Sequence, residues 1–431
     1  MDTLSAPNQP AMTRRDALGA LAMSLLLPAT GQTVEEPKNE PRIPSVAGVT
    51  TVYYHNSHAD MFLSRLLQGY ALNGAPPFPQ LKLASLHIDQ FPSNDKGREL
   101  ATRHGIPLHG TIEQALTLGT GKLAVDGIFL VAEHGNYPES DTGQILFPKR
   151  RMFDEIARLV RAANKSVPIF IDKHFADNWQ DAKAIYDQAL QARIPLMAGS
   201  SLPVLWREPA RDVERDRPLR EIVALSYHRL DAYGFHALEV VQCLAERRPQ
   251  GESGVRRVRT LQGPAVWQAI DAGVIDRELL DAALRCAKDR PIPTNRPLRE
   301  QVPQPALFIV EYLDGLRASV LSLDQLYIDW AAAWRYTDHR HEAAVFWTQE
   351  ARPFMHFTHL LRQIEPFMQS GSAPWPVERT LLTTGMLDAL LISRRDQGRW
   401  VDTPHLKIAY NSTYQWTQPP PPPPDRPIDS Q

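Results

Sequence analysis

Apolar and polar positions along this chain follow two successive grammars. From Val46 onward, short apolar runs alternate with stretches of helical period. The runs cover Val49 to His55, Leu81 to Asp89, 125–132, Val167 to Ile171 and Pro195 to Ala198. A continuous run of this length marks a strand covered on both faces of a parallel sheet. Between the runs, the period predicts helices over Ser57 to Tyr70, Lys96 to His104, Thr111 to Leu118, 151–163 and Asn178 to Ala192. Ser57 suits the N-cap of the first, and Gly105 the residue that ends the second. Regular strand–helix alternation predicts a doubly wound α/β domain. After about Pro209 the pattern changes. Glu221 to His228 alternates like a half-exposed strand, and Tyr233 to Arg247 reads as a helix. Gly254 to Leu261 and Ala306 to Leu323 hold more strand, and Asp314-Gly315 is a hairpin signal. Val377 to Arg394 is a last long helix. The second half is therefore α+β with a mainly antiparallel sheet.

Composition narrows the classes. The chain has 431 residues, 43% of them apolar, and a net charge of −2. That suffices for a large core in two or three domains. It leaves no basic field for nucleic acid or an anionic membrane. The two cysteines, Cys243 and Cys286, form no Cys-x-x-Cys clip, which argues against a thiolate metal centre or disulfide scaffold and leaves open whether the two pair. Cys243 reads as a buried free thiol on a helix. Residues 1–31 read as a signal peptide: Arg14-Arg15 precede an apolar stretch from Ala17 to Leu27 and a small-residue exit. The stretch is short for a membrane span, so none is expected in the mature form. The adjacent arginines suit the twin-arginine type, placing the protein in the periplasm or otherwise outside the cytoplasm. Residues 32–45 read as a linker. Residues 411–431 read as a disordered tail, with six prolines between Gln418 and Arg426.

Chemistry concentrates where two predicted strands end. The 125–132 run leads into Glu133-His134-Gly135, and the Val167 run into Asp172-Lys173-His174. Ligands bind beyond the carboxyl ends of such strands. His55, His58, Asp60, His87, Asp89, Glu133, His134, Asp172 and His174 are expected to share one crevice there. These groups can bind a sugar by hydrogen bonds, or a divalent metal through the His-x-x-His-x-Asp spacing of His55, His58 and Asp60. A helix starting near Ser57 favours an anion at its N-terminus. The segment from Ala198 to Pro203, which follows the last strand of this half, can position a substrate or equally serve tight packing. Trp267, Trp330, Trp334 and Trp347 read as core or interface residues, and Asp338 to Glu342 as a solvated turn.

Several of these segments resemble the glucose–fructose oxidoreductase / inositol dehydrogenase (Gfo/Idh/MocA) family. Gly97 to Ala101 through Gly105-Ile106-Pro107 to Leu116 resembles that family's helix, "GIP" strand and following helix. Val125 to Ile128 matches its fourth strand. Val167 to His174 resembles the strand ending in Glu-Lys-Pro, with Lys173 in the lysine's place. Tyr233 to Glu239 resembles the Gly-x-His-x-x-Asp helix, with His236 as the catalytic histidine. The resemblance spans roughly 46–410. It implies a Rossmann-like nucleotide-binding domain over 46–208, and a substrate and oligomerisation domain over 209–410 that self-associates through its sheet. It further implies NAD or NADP and a sugar, polyol or related carbohydrate. Lys173, Asp172 and His236 would be catalytic, His174 and Glu239 substrate-binding, and His55, Ser57, His58, Asp89, Glu133 and His134 cofactor-binding. Asp89 would take the ribose hydroxyl. The chain departs from the family in three places. Tyr53 to Asp60 holds no glycine where the phosphate loop should be, Asp172-Lys173-His174 replaces Glu-Lys-Pro, and Ala232 stands for an aspartate. Two readings follow: an exported NAD(P)-dependent oxidoreductase, or a divergent protein that has lost the dinucleotide and binds carbohydrate or a metal. A structural partner of a surface complex is a third.

Overall fold

The structure is a computed structural model that describes residues 42–286, 296–324 and 326–421. The expected signal peptide and most of the linker lie outside these residues. The first sheet is built from β1 (Ser45–Thr50), α1 (His58–Gln68), β2 (Lys82–Ile88), α2 (Gly97–His104), β3 (Leu108–His109), α3 (Ile112–Thr117), β4 (Gly127–Val131), α4 (Lys149–Ala163), β5 (Ile169–Asp172), α5 (Trp179–Ala192) and β6 (Leu196–Gly199). Its strands are parallel in the order β3-β2-β1-β4-β5-β6. This is the doubly wound order whose switch point lies between β1 and β4. Both expected caps are present: Ser57 accepts a backbone N–H bond at the start of α1, and Gly105 is left-handed after α2. Thr111 and Asn178 cap α3 and α5 in the same way as Ser57.

β1 begins and ends several residues before the expected Val49 to His55. Gly48 hides the strand because glycine carries no apolar signal. It is needed because a Cβ there would lie 2.8 Å from both Leu63 and Leu86. The chain leaves the sheet after Thr50, whose hydroxyl bonds Val131 O at 2.8 Å. Tyr53, Tyr54 and His55 therefore belong to the β1–α1 loop.

The second sheet follows β7 (Trp206–Glu208), β8 (Leu219–Ser226), α6 (Tyr233–Ala245), β9 (Val255–Gln262), α7 (Pro264–Asp271), α8 (Arg277–Arg285), α9 (Leu298–Gln301), β10 (Ala306–Tyr312), β11 (Arg317–Ser322), β12 (Trp330–Tyr336), β13 (His341–Trp347), α10 (Met355–Ser370), α11 (Glu378–Arg395) and β14 (Val401–Asp402). Its order is β14-β9-β10-β11-β8-β12-β13-β7, antiparallel except for β11 with β8. β8 is not half-exposed. Ile222 and Ala224 pack under α6 and α11, while Val223 and Leu225 pack under α7 and α8. Helices therefore cover both faces of β8.

Two features depart from the sequence pattern. α10 lies in the 209–410 stretch yet packs on the first sheet, where Phe357 meets Phe62 at 5.2 Å and Phe62 meets Phe170 at 5.3 Å. Arg65 of α1 is fully buried and donates to Phe354 O and Thr358 Oγ1, both at 2.9 Å. The tail is not free where it is described. Trp416 Nε1 donates to Leu205 O at 2.8 Å, Gln418 exchanges bonds with the Arg207 backbone, and Pro420 O accepts from Trp206 Nε1 at 2.6 Å. No helix among the described residues is long and apolar enough to cross a membrane.

Candidate functional site

A cavity of about 380 Å³ opens where the first sheet's strand ends meet the second sheet. β5 delivers Asp172 and Lys173 to it, the turn after β4 delivers His134, and the first turn of α1 delivers His58. Tyr233 and His236 come from α6, and Trp330 from β12. Phe354, His356 and Phe357 come from the start of α10. The volume lies at the small end of ligand sites and suits a ligand of about sugar size.

A buried charge network sets the cleft's electrostatics. Lys173 stands just past β5 with a left-handed φ of 57°, and its Nζ lies 3.3 Å from Glu133 Oε2. The other Glu133 oxygen takes Lys149 Nζ at 2.5 Å. Lys149 also donates to Asp172 O and His174 O, and His174 Nδ1 lies 2.9 Å from it. Burial works to lower the Lys173 pKa, but Glu133 and Asp172 outweigh it and hold the ammonium above the ordinary lysine value. Burial alone would raise Glu133; Lys149, Lys173 and His174 overturn that and keep it a carboxylate well below its usual range. Lys173 is therefore a firm cation at the cleft wall.

The expected site residues separate into two groups. Lys173, Asp172, His236, His58 and His134 all line the cleft. His58 Nδ1 lies 2.6 Å from Asp172 Oδ2, and the His58 ring meets His134 and Phe357 edge-on. Burial holds His134 neutral down to about 3, and His236 well below its ordinary value. Glu133 and His174 sit one layer behind, with Lys149; burial and Lys149 push His174 down to about 3.

Glu239, Asp89, Ser57 and His55 are placed elsewhere. Glu239 is fully buried, accepts from Ser200 N at 3.3 Å and Thr383 Oγ1 at 3.0 Å, and so secures the loop after β6 rather than a ligand. Gly199 makes this approach possible: a Cβ there would lie 2.8 Å from the Glu239 carboxylate. Asp89 is already taken by Tyr137 OH at 2.7 Å and Arg151 at 2.6 Å. Ser57 Oγ is occupied as a helix cap, and His55 is exposed away from the cleft lining.

Sequence patterns missed the walls. Lys149 follows Phe147-Pro148 with nothing to mark it as buried. His356, Phe357, Thr348 and Glu350 come from a segment without a clear period, and Trp330 lines the cleft although it read as core. Among the described residues, no group of three or more His, Cys, Asp or Glu side chains is arranged to hold a metal ion.

The residues at the start of α1 do not make the cradle a dinucleotide pyrophosphate uses at a helix N-terminus. That cradle needs free N–H groups and space, which glycines supply. Here Tyr53 is fully buried and bonds Ser64 Oγ at 2.7 Å. The Asp60 carboxylate takes the anion's position in the first turn, accepting Asn56 N at 2.9 Å and Arg352 at 2.6 Å. Gln90 and Asn136 exchange two hydrogen bonds between the tips of β2 and β4.

No family model and no curated sequence matches this chain. Solved structures do. GenD2 from gentamicin A biosynthesis, in complex with NAD, matches 88% of this chain and 99% of its own at 14% identity, with a TM-score of 0.53. A Thermotoga maritima protein described as a probable dehydrogenase matches 84% and 99% at 11% identity, with a TM-score of 0.51. An inositol dehydrogenase homolog from Azotobacter vinelandii, complexed with NADH and myo-inositol, matches 84% and 98% at 10% identity, with a TM-score of 0.49. The first two likenesses show that the chain shares the two-sheet fold of these proteins, as the sequence resemblance implied.

Proposed function

We propose that the protein is an oxidoreductase acting on a sugar, polyol or related carbohydrate bound in this cleft. The observation that carries the reading is a set of unpartnered polar atoms around a firm cation. His134 Nε2, Ser200 Oγ, His236 Nδ1, Trp330 Nε1 and His356 Nδ1 are buried, have no hydrogen-bond partner, and belong to cleft-lining residues. Each such atom costs about 1–3 kcal/mol unless something satisfies it. A polyhydroxylated ligand does so, and Tyr233 stacked on Trp330 at 5.6 Å offers it an apolar wall. Lys173 would orient a hydroxyl or carbonyl, with His236 facing it across the cleft. NAD or NADP is the expected hydride acceptor, by analogy with the proteins of like fold. Its pyrophosphate would have to be held away from the start of α1.

That last point favours a second reading, in which the carbohydrate cleft is kept and the dinucleotide is lost. Export on a twin-arginine signal belongs to either reading and rests on Arg14-Arg15 ahead of the apolar stretch from Ala17; cell fractionation checks it. Self-association through the second sheet, expected from the resemblance, would have to use the helices packed on it or its edges. Native mass spectrometry and calorimetry with NAD, NADP and a panel of sugars and polyols decide between the readings. Polyol-dependent reduction of either dinucleotide supports the oxidoreductase. Carbohydrate binding with no affinity for any dinucleotide supports the second reading. Binding of neither ligand class overturns both.

A further inference from the structure

We propose that His58, held by Asp172, is the proton acceptor of the cleft and takes its proton from a carbohydrate hydroxyl. The proposal rests on the carbohydrate reading of the cleft and reassigns the task given to His236.

Four imidazoles line the cleft among the described residues: His58, His134, His236 and His356. Only His58 has a carboxylate partner, Asp172 Oδ2 at 2.6 Å from Nδ1. Asp172 is the last residue of β5 and nearly fully buried, so its carboxylate is held by a rigid element. An acceptor at Nδ1 fixes the proton there and leaves the Nε2 lone pair free. Nε2 has no partner among the described residues and is not a buried orphan, and the side chain keeps 15% of its surface open.

The other three rings are poor acceptors. Burial, then His58 and Lys173, hold His134 neutral down to about 3. Burial and Lys173 hold His236 well below its ordinary value, and burial and Arg65 hold His356 neutral down to about 3. A proton placed on any of them meets apolar surroundings and a cation. A proton placed on His58 meets a carboxylate. The groups that face His58 are Asp172 and Lys173 beside β5, Glu133 and His134 after β4, His236 on α6 and His356 on α10. In the step, the substrate O–H bond breaks and an Nε2–H bond forms. The imidazolium is then paired with Asp172, and the oxyanion with the Lys173 ammonium. Net charge in the cleft is unchanged.

Two substrate-free measurements test this on the full chain. Diethyl pyrocarbonate labels unprotonated imidazole nitrogens, and peptide mass spectrometry reads each rate. His58 is expected to react at least about tenfold faster than His134, His236 or His356, and Asp172→Asn to remove most of that advantage. Long-range 1H–15N correlation of the wild type, which needs no variant to fold, is expected to show His58 as the Nδ1–H tautomer. An Nε2–H tautomer, or equal labelling of the four rings, overturns the proposal. Myo-inositol or another panel member that binds is expected to protect His58; binding without protection also overturns it. Failure of the whole panel to bind would overturn the proposed function, which the labelling contrast by itself does not decide.

Discussion

Lys149 Nζ lies 2.5 Å from Glu133 Oε1, and the lysine side chain is wholly removed from solvent. The acid that follows β4 is thus neutralised twice, by a lysine behind the cleft and by Lys173, which lines it. The two lysines share one carboxylate but not one task. Lys149 also ties the backbone of Asp172 and His174, so it holds the turn that presents the cleft residues.

Replacing Lys149 with Met should therefore act on stability. It leaves Glu133 buried with half its compensation and two carbonyls without a donor. The expected loss is about 3–5 kcal/mol, read as a fall in the urea midpoint. An unchanged midpoint would mean that water or Lys173 takes over the role.

Lys173→Ala should act on function instead. Lys149 still neutralises Glu133, and alanine adds no new strain at this left-handed φ, because the lysine already carries a Cβ there. Carbohydrate binding or turnover should fall by about two orders of magnitude with folding retained, a scale typical of losing a charged contact. Calorimetry and thermal melting on the same sample separate the two effects. Full binding by the variant would remove Lys173 from the site.

The pH dependence follows from the buried histidines. Burial holds His134, His174 and His356 near 3 and His359 near 4, while in the unfolded chain they titrate near 6.5. Between about pH 6.5 and 4.5 the unfolded state therefore binds four more protons at these positions. Burial raises Asp177 and Glu239 to about 7, so the folded state binds two more at those. The net is two protons in favour of unfolding, or about 2.7 kcal/mol lost per unit of acidification. Below that window Glu133, whose folded value is depressed, adds to the loss. Thermal midpoints from pH 7 to 4 should fall, and a rise would contradict these assignments.

Much of the frame was legible in the sequence, because parallel strands and their helices carry strong periodicity and conventional caps. The positions of Ser57 and Gly105 sufficed to place two helix ends. β12 and β13 escaped because Ala331 to Ala333 and Ala343-Ala344 blur the alternation. α10 escaped because Phe354 to Phe357 reads as an aromatic cluster with no period. In the site, Lys173 and His236 were placed by motif and Asp172 by its strand end. Asp89 and Glu239 lie outside the cleft lining, and sequence cannot show that Tyr137 and Arg151 engage the one and Ser200 and Thr383 the other.

The proline-rich end offers a further test. Trp416, Gln418 and Pro420 together satisfy the edge of β7, and the Arg207 guanidinium lies 4.3 Å from the Trp416 ring. Removing residues 415–431 should cost about 2–4 kcal/mol, from a few hydrogen bonds and the exposed rings. Chemical denaturation measures it, and no loss would return this segment to the solvated state its composition suggests.

The placement of α10 on the first sheet has a consequence for how the molecule comes apart. The chain crosses to the second sheet at about Trp206 and returns 150 residues later, so Phe62, Phe129 and Phe170 are sealed only after most of the polypeptide exists. No single cut yields two self-sufficient halves. The lobes are expected to melt together, and a nascent first lobe must wait, with aromatic rings bare, for a helix still unmade.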